Sequence, residues 1–224
     1  MGPLRGVMDA ADDDGRRNAY MHLLHRKAVE RELGTLHSAH RALDFGCGTG
    51  RFLSTLGRRF AEVYALDREP EMLAAARAYA GQFAKDFVHW TGNATPFAAH
   101  FFDFILCSSV LGVTAAELFS SSILEISRIC KPAATVLLLE QVAESRNLSL
   151  NRYRSQLRKA RLTLVRAYPI RPAVSPFTAL ITTKKWIPRA CFGGIASMEI
   201  AATSNGLYRS AEPYVEYVMV ARRF

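Results

Sequence analysis

The sequence predicts an α/β fold, a doubly wound and mostly parallel sheet with helices on both faces. Three observations predict it. Short apolar runs alternate with helix-length segments between residues 42 and 140, the pattern of successive βα units. A glycine-rich turn, Gly46-Cys47-Gly48-Thr49-Gly50, follows the first apolar run. The run at 135–140 carries four consecutive aliphatic residues, Val136 to Leu139, as a strand covered on both faces requires.

Each element then follows in order. Residues 12–33 read as a helix with Tyr20, Leu23, Leu24 and Val29 turned inward, stopped at Gly34. The first strand is 42–45, and a helix through Phe52, Leu53 and Leu56 follows the glycine turn. The second strand is 62–67. Pro70 opens the next helix, where a missing N–H costs nothing, and Met72, Leu73 and Ala76 carry it to Gly81. Strands at 87–90 and 101–107 come next, then a helix at 114–130 ended by Lys131-Pro132, then the strand 135–140. Beyond Glu140 come a basic helix at 149–160, a strand at 162–170, a proline-interrupted stretch at 171–190, a helix at 193–204 and a last strand at 214–221.

The 224 residues suit one domain with a full core. We divide it into an N-terminal helical lid (1–40), a ligand-binding half (41–142) and a basic substrate side (143–224). Half of the residues are hydrophobic and 22% are charged, as in ordinary globular proteins. No apolar run reaches the roughly 18 residues of a membrane span, and the acidic Asp12-Asp13-Asp14 argues against a secretory leader. No two of Cys47, Cys107, Cys130 and Cys191 are spaced C-x-x-C. No metal site is therefore expected, each cysteine reads as a small buried hydrophobe, and a cytoplasmic location is the simple reading. The net charge of +9 is uneven. Residues 1–140 hold 15 Lys+Arg against 16 Asp+Glu, and residues 141–224 hold 14 against 4. A basic annex on a neutral body points to an anionic partner or substrate.

The chemistry starts at the glycine turn. Gly46, Gly48 and Gly50 permit a tight turn and close approach of a ligand to the backbone, and a helix start offers free N–H groups. A dinucleotide fingerprint would need glycine at position 51, where Arg51 stands. Asp67 lies at the end of the second strand, 21 residues after Gly46, where a carboxylate can accept both hydroxyls of a ribose. Its plainer use is to cap the next helix.

These residues resemble class I S-adenosylmethionine-dependent methyltransferases, a Rossmann-like family. Leu43-Asp44-Phe45-Gly46-Cys47-Gly48-Thr49-Gly50 looks like the first family motif, and Leu66-Asp67-Arg68-Glu69-Pro70-Glu71-Met72-Leu73 like the second. Gly92-Asn93-Ala94-Thr95-Pro96-Phe97, Phe102-Asp103-Phe104-Ile105 and the segment Leu124 to Pro132 resemble later ones. The resemblance implies a seven-stranded sheet with an antiparallel last strand, and S-adenosyl-L-methionine as cofactor. It implies that Asp44, Gly46, Cys47, Gly48 and Gly50 hold the methionine part and that Asp67 binds the ribose. Arg68 and Met72 would flank the adenine, Asn93 and Ala94 would meet its edge, and Cys107 and Ser108 would sit beside the sulfonium. Two positions depart from the family. Asn93 replaces an acid, and its carbonyl can still accept from the adenine amine. Pro132-Ala133-Ala134 replaces Pro-Gly-Gly, so the turn is expected to avoid a positive φ.

Methyl transfer needs alignment of the acceptor and, for a hydroxyl, removal of its proton. Glu140, His22 and His25 are the candidate bases. His89 and His100 are further candidates, a surface or capping role being the plainer reading of each histidine, with His89 expected to be packed within its strand. The absence of an Asn/Asp-Pro-Pro-Tyr/Phe segment and of a Pro-Cys pair lowers the case for nucleobase amine or cytosine C5 chemistry. The expected reaction is methyl transfer to an O or N of a small-molecule or glycan-type acceptor; Arg152, Arg154, Arg158 and Arg161 read either as a solvated helix face or as contacts for a phosphate on that acceptor. RNA is the alternative acceptor, and a non-catalytic cofactor-binding subunit is the alternative outside enzymes. A membrane surface is a further partner reading: Phe177, Leu180, Ile181, Trp186, Ile187 and Phe192 interleave with Lys184, Lys185 and Arg189.

Overall fold

The computed structural model describes residues 12–36, 40–92, 94–113, 116–143, 148–206 and 214–223. Seven strands form one sheet: β1 (Arg41–Phe45), β2 (Glu62–Asp67), β3 (Asp86–His89), β4 (Phe102–Ser108), β5 (Cys130–Val142), β6 (Leu162–Pro172) and β7 (Val215–Arg223). Their order is β3-β2-β1-β4-β5-β7-β6. The first five are parallel, and β7 runs antiparallel to both β5 and β6. The doubly wound sheet with an antiparallel last strand is thus the observed fold.

Among the described residues seven α-helices cover it: α1 (Arg16–Leu33), α2 (Leu53–Gly57), α3 (Pro70–Ala80), α4 (Ala116–Ile129), α5 (Leu150–Lys159), α6 (Pro176–Thr183) and α7 (Phe192–Ser204). Strand alternation divides their packing. Ala42, Phe104, Leu106, Leu137, Leu139 and Val218 join one core, with residues of α1, α2, α3, α6 and α7. Leu43, Phe45, Ile105, Val136, Leu138 and Met219 join the other, with residues of α4 and α5.

Several elements differ from expectation for local reasons. α1 begins at Arg16, because the Asp12 carboxylate is spent on the first turn: it accepts from Asn18 N at 2.8 Å and from Arg17 N at 3.3 Å. α6 lies inside the proline-rich stretch. Pro176 takes its first turn, and the Ser175 hydroxyl accepts from Thr178 N at 3.1 Å, so a serine–proline pair starts a helix here. β5 begins at Cys130 and takes in Lys131-Pro132, with an irregular register against Phe102 and Phe104. In this irregular stretch Ala133 adopts φ +61°. The expectation that alanine would avoid a positive φ is therefore wrong, and the left-handed residue costs about 1 kcal/mol. His89 is exposed, because β3 is an edge strand. Cys191 is exposed, while Cys47, Cys107 and Cys130 are buried.

Candidate functional site

The strand order reverses at β1, whose neighbours are β2 on one side and β4 on the other. The helices that follow β1 and β4 lie on opposite faces of the sheet, and the carboxyl ends of the two strands form the switch point where open α/β sheets take ligands in a crevice. The glycine turn lines it. Gly46 N and Cys47 N donate to Leu66 O at 2.8 and 2.9 Å, which ties the turn to β2. Gly46 has φ +76°, and a Cβ there would lie 2.2 Å from Val110 Cγ2. Gly50 has φ +77°, with Leu53 Cδ1 at 2.9 Å and Ala76 Cβ at 3.1 Å from a Cβ. Both positions combine a left-handed backbone with no space for a side chain.

Asp67 joins two loops. Its Oδ2 accepts from Gly48 N at 2.7 Å, and its Oδ1 accepts from Glu69 N at 3.0 Å. The helix cap itself is Glu69. Asp44, on β1, is buried, and its Oδ2 has no hydrogen-bond partner among the described residues. Burial pushes its carboxyl up to about 7, with Arg51 opposing and Asp67 adding to the shift.

Arg51, the residue that replaces a spaced glycine, lies at the centre of a buried polar chain. Its Nη2 donates to Ser108 Oγ at 2.8 Å, its Nη1 lies 3.0 Å from His25 Nδ1, and its guanidinium stacks 4.3 Å from the Phe52 ring centroid. Burial lowers its pKa to about 10. Arginine can only donate, so His25 Nδ1 accepts and His25 Nε2 carries the hydrogen. Nε2 then donates to Glu216 Oε2 at 2.9 Å. Arg171 Nε donates to the same oxygen at 3.1 Å. Burial lowers the His25 pKa, with Glu216 opposing the shift and Arg51 and Arg171 adding to it. Burial opposes the charge on Glu216, but His25 and Arg171 hold its carboxyl below the usual range. Arg171 and Glu216 carry no motif, so this chain could not be found from sequence. Its members are separated by up to 191 positions.

The other candidate bases sit on either side. His22, one turn before His25 on α1, has its ring 6.1 Å from that of Phe52, and its Nδ1 is buried without a partner among the described residues. Burial first, then the Arg51 charge, lowers its pKa to about 4. Glu140 closes the opposite wall. Its Oε1 accepts from Val110 N at 2.8 Å and Leu111 N at 3.0 Å, and its Oε2 from Gly112 N at 3.1 Å. Burial pushes it up to about 7 against these three donors. Glu140 thus fixes the segment that packs Val110 onto Gly46.

The remaining candidates are spread along the crevice. The buried Cys107 reaches Glu140 Oε1 at 3.8 Å. Burial raises the thiol pKa of both Cys47 and Cys107, so neither is a thiolate nucleophile. Met72 is half-buried on α3, and Arg68 is exposed with its carbonyl 2.9 Å from His89 Nε2. Ala94 is exposed beside Thr95, whose N and Oγ1 both donate to Glu125 Oε1 at 2.7 and 2.6 Å. Asn93 lies outside the described residues.

The basic annex is only partly near the crevice. α5 descends from the end of β5, and Ser127 Oγ donates to Ala160 O at the foot of the sheet, where α4 ends. Arg161 therefore stands at the end opposite the crevice, and Arg158 lies three residues before it. Arg152, over the Phe119 ring at 4.7 Å, and Arg154 are on the near half of the helix. His100 is also at the foot, its Nδ1 3.2 Å from Cys130 O. Of the six apolar residues in the proposed interfacial stripe, Ile181, Ile187 and Phe192 are core residues.

Residues 43–138 match the family model described as "Methyltransferase domain". The chain is 32% identical over 103 residues to "Uncharacterized methyltransferase YodH" of Bacillus subtilis, covering 44% of this chain and 42% of that protein. It is 40% identical over 92 residues to "Biotin biosynthesis bifunctional protein BioHC" of Cellvibrio japonicus, covering 41% of this chain and 18% of that protein. The matches thus span less than half of either curated relative. A solved geranyl diphosphate methyltransferase in complex with S-adenosylmethionine superposes with a TM-score of 0.67 at 14% identity, covering 96% of this chain and 93% of that one.

Proposed function

We propose that the chain is an S-adenosylmethionine-dependent methyltransferase, a reading supported by the match of residues 43–138 to the methyltransferase-domain family model, and that it methylates an O or N atom of a small-molecule or glycan-type acceptor. The observation that carries this reading is the switch point at the β1–β4 reversal, where the Asp67 carboxylate and the glycine turn lie beside the buried Asp44. S-adenosylmethionine brings an ammonium, a sulfonium and a ribose diol. The unpartnered Asp44 Oδ2 and the Asp67 carboxylate suit those groups.

In this proposal Asp67 exchanges its bond to Gly48 N for the ribose hydroxyls, and the Gly46–Gly50 turn faces the methionine part. Arg68 and Met72 flank the adenine, with Asn93 and Ala94 at its edge. Cys107 and Ser108 stand beside the sulfonium, and Arg51 holds the Ser108 hydroxyl in one orientation. The bound cofactor supplies an electrophilic methyl group, and the chain supplies alignment and a dry site. Among the three candidate bases, both His25 nitrogens and both Glu140 oxygens are hydrogen-bonded, while His22 keeps an unpartnered nitrogen. We therefore assign proton removal from the acceptor to His22, with His25 and Glu140 as positioning residues. An anionic group on the acceptor would meet Arg152 or Arg154. The same fold serves a diphosphate-bearing acceptor in geranyl diphosphate methyltransferase.

Titration calorimetry tests the first step. The chain should bind S-adenosylmethionine, and Asp67→Ala should weaken binding by about 100-fold, the worth of two hydrogen bonds to a charged group. No binding by the unaltered chain would overturn the proposal. Methyl transfer to a panel of small acceptors then identifies the product. The exposed Arg154, Arg158, Lys159 and Arg161 favour RNA as the second reading. Tight RNA binding at physiological salt, with methylation of the RNA, would establish it in place of the first.

A further inference from the structure

α6 and α7 pack on each other and on α1, and together they form a cap beside the sheet. Their outward faces are unusual for a surface. On α6 the face is Ala179, Leu180 and Thr183, and on α7 it is Gly194, Met198 and Ala201. The two helices contain one charged residue, Glu199, and it is buried. α5, by contrast, carries four cations in ten residues. Leu180 is 41% exposed, Met198 63% and Trp186, in the connection between the helices, 78%. Single exposed apolar residues are ordinary. Two adjacent helix faces without a charge, joined by an exposed tryptophan, form a patch.

The rim of this patch is cationic. Lys184, Lys185 and Arg189 are exposed in the same connection, and no acidic residue between 176 and 204 reaches the surface. Asp14 is the nearby acid: its Oδ2 lies 3.4 Å from Lys185 Nζ, and its carbonyl accepts from Arg189 at 2.7 Å. An apolar, charge-free centre with an indole and basic residues at its edge matches the zone between lipid headgroups and acyl chains.

We infer that the α6–α7 face docks on an anionic lipid surface, with Trp186 and Leu180 entering the headgroup boundary and Lys184, Lys185 and Arg189 meeting lipid phosphates. The docking does not depend on the identity of the methyl acceptor. Asp14, paired with Lys185, stands at the rim, but α6, α7 and their connection expose no acid that would oppose such contact, and each lysine adds attraction that salt screens.

The chain carries its own reporter. Its two tryptophans differ fully in exposure, Trp90 at 3% and Trp186 at 78%, so a change of emission on adding vesicles arises at Trp186. The full chain should sediment with phosphatidylcholine vesicles containing phosphatidylserine and not with phosphatidylcholine alone. Its emission should shift to the blue, and binding should fall as salt rises. Lys184→Glu and Lys185→Glu should each weaken binding by about fivefold or more, and Trp186→Ala should remove sedimentation while leaving the thermal midpoint unchanged, since its side chain is 78% exposed. Absence of binding to anionic vesicles would overturn the inference, as would equal binding to neutral ones or indifference to all three substitutions. A stable dimer in light scattering, with Trp186 emission already blue without vesicles, would assign the face to a second copy instead.

Discussion

The two faces of the sheet bury different kinds of chemistry. The face under α4 and α5 is largely aromatic and aliphatic, with Phe45 against Trp90 at 5.0 Å and Phe119 against Tyr153 at 5.3 Å. Its buried carboxylate at the crevice, Glu140, is satisfied by backbone N–H groups. The face under α1, α6 and α7 buries Arg51, His25, Glu216 and Arg171, each dependent on another side chain. Backbone donors are fixed by the fold, whereas side-chain partners must all be present together. The second face is therefore the one where single substitutions leave a charge stranded.

The largest test of this contrast is Glu216→Ala. It removes the carboxylate that meets both His25 and Arg171, and should lower unfolding free energy by about 3–5 kcal/mol in urea denaturation. Replacing the pair, Arg171→Met with Glu216→Leu, should recover part of the loss. If Glu216→Ala costs less than a typical surface change, the network is not a structural unit. The next test is pH. The folded pKa of His22, about 4, lies below its ordinary 6.5, so the unfolded chain takes the proton first as pH falls. Stability present above pH 6.5 should be lost progressively down to pH 4, by up to about 3 kcal/mol. His22→Gln should flatten that part of the thermal midpoint against pH. The smallest test is on the quiet face. Ala133→Gly relieves a φ of +61° and should stabilise the chain by about 1 kcal/mol, without changing affinity for S-adenosylmethionine.

The two faces also differed in how far they could be read from sequence. All seven strands were legible: the central parallel strands are apolar, Val136 to Leu139 being the clear example, and β6 shows the alternation of a strand at the antiparallel edge. The glycine turn and Asp67 were legible because their chemistry is local and their spacing fixed. α6 was hidden by its prolines, although Ser175-Pro176 is itself a helix start. Arg51 stood in the open as an exception to a glycine pattern, but its role depends on β7 and β6. Nothing local in Glu216 or Arg171 signals that they meet, since strand pairing alone brings 171 beside 216. The charge excess of the last third was visible, while its division between the foot of the sheet and the cap connection required the helix directions.

One consequence of the strand order concerns time rather than place. β6 precedes β7 in the chain, yet β7 lies between β5 and β6. β6 has no partner until β7 has inserted, and the five parallel strands keep β5 as an open edge until the same moment. Refolding should therefore pass through a state with two unsatisfied edges, long-lived because the closing contacts are distant in sequence. Such edges pair with other molecules. Recovery of native protein should fall as chain concentration rises, and the loss should be governed by how fast β7 enters rather than by how stable the finished sheet is.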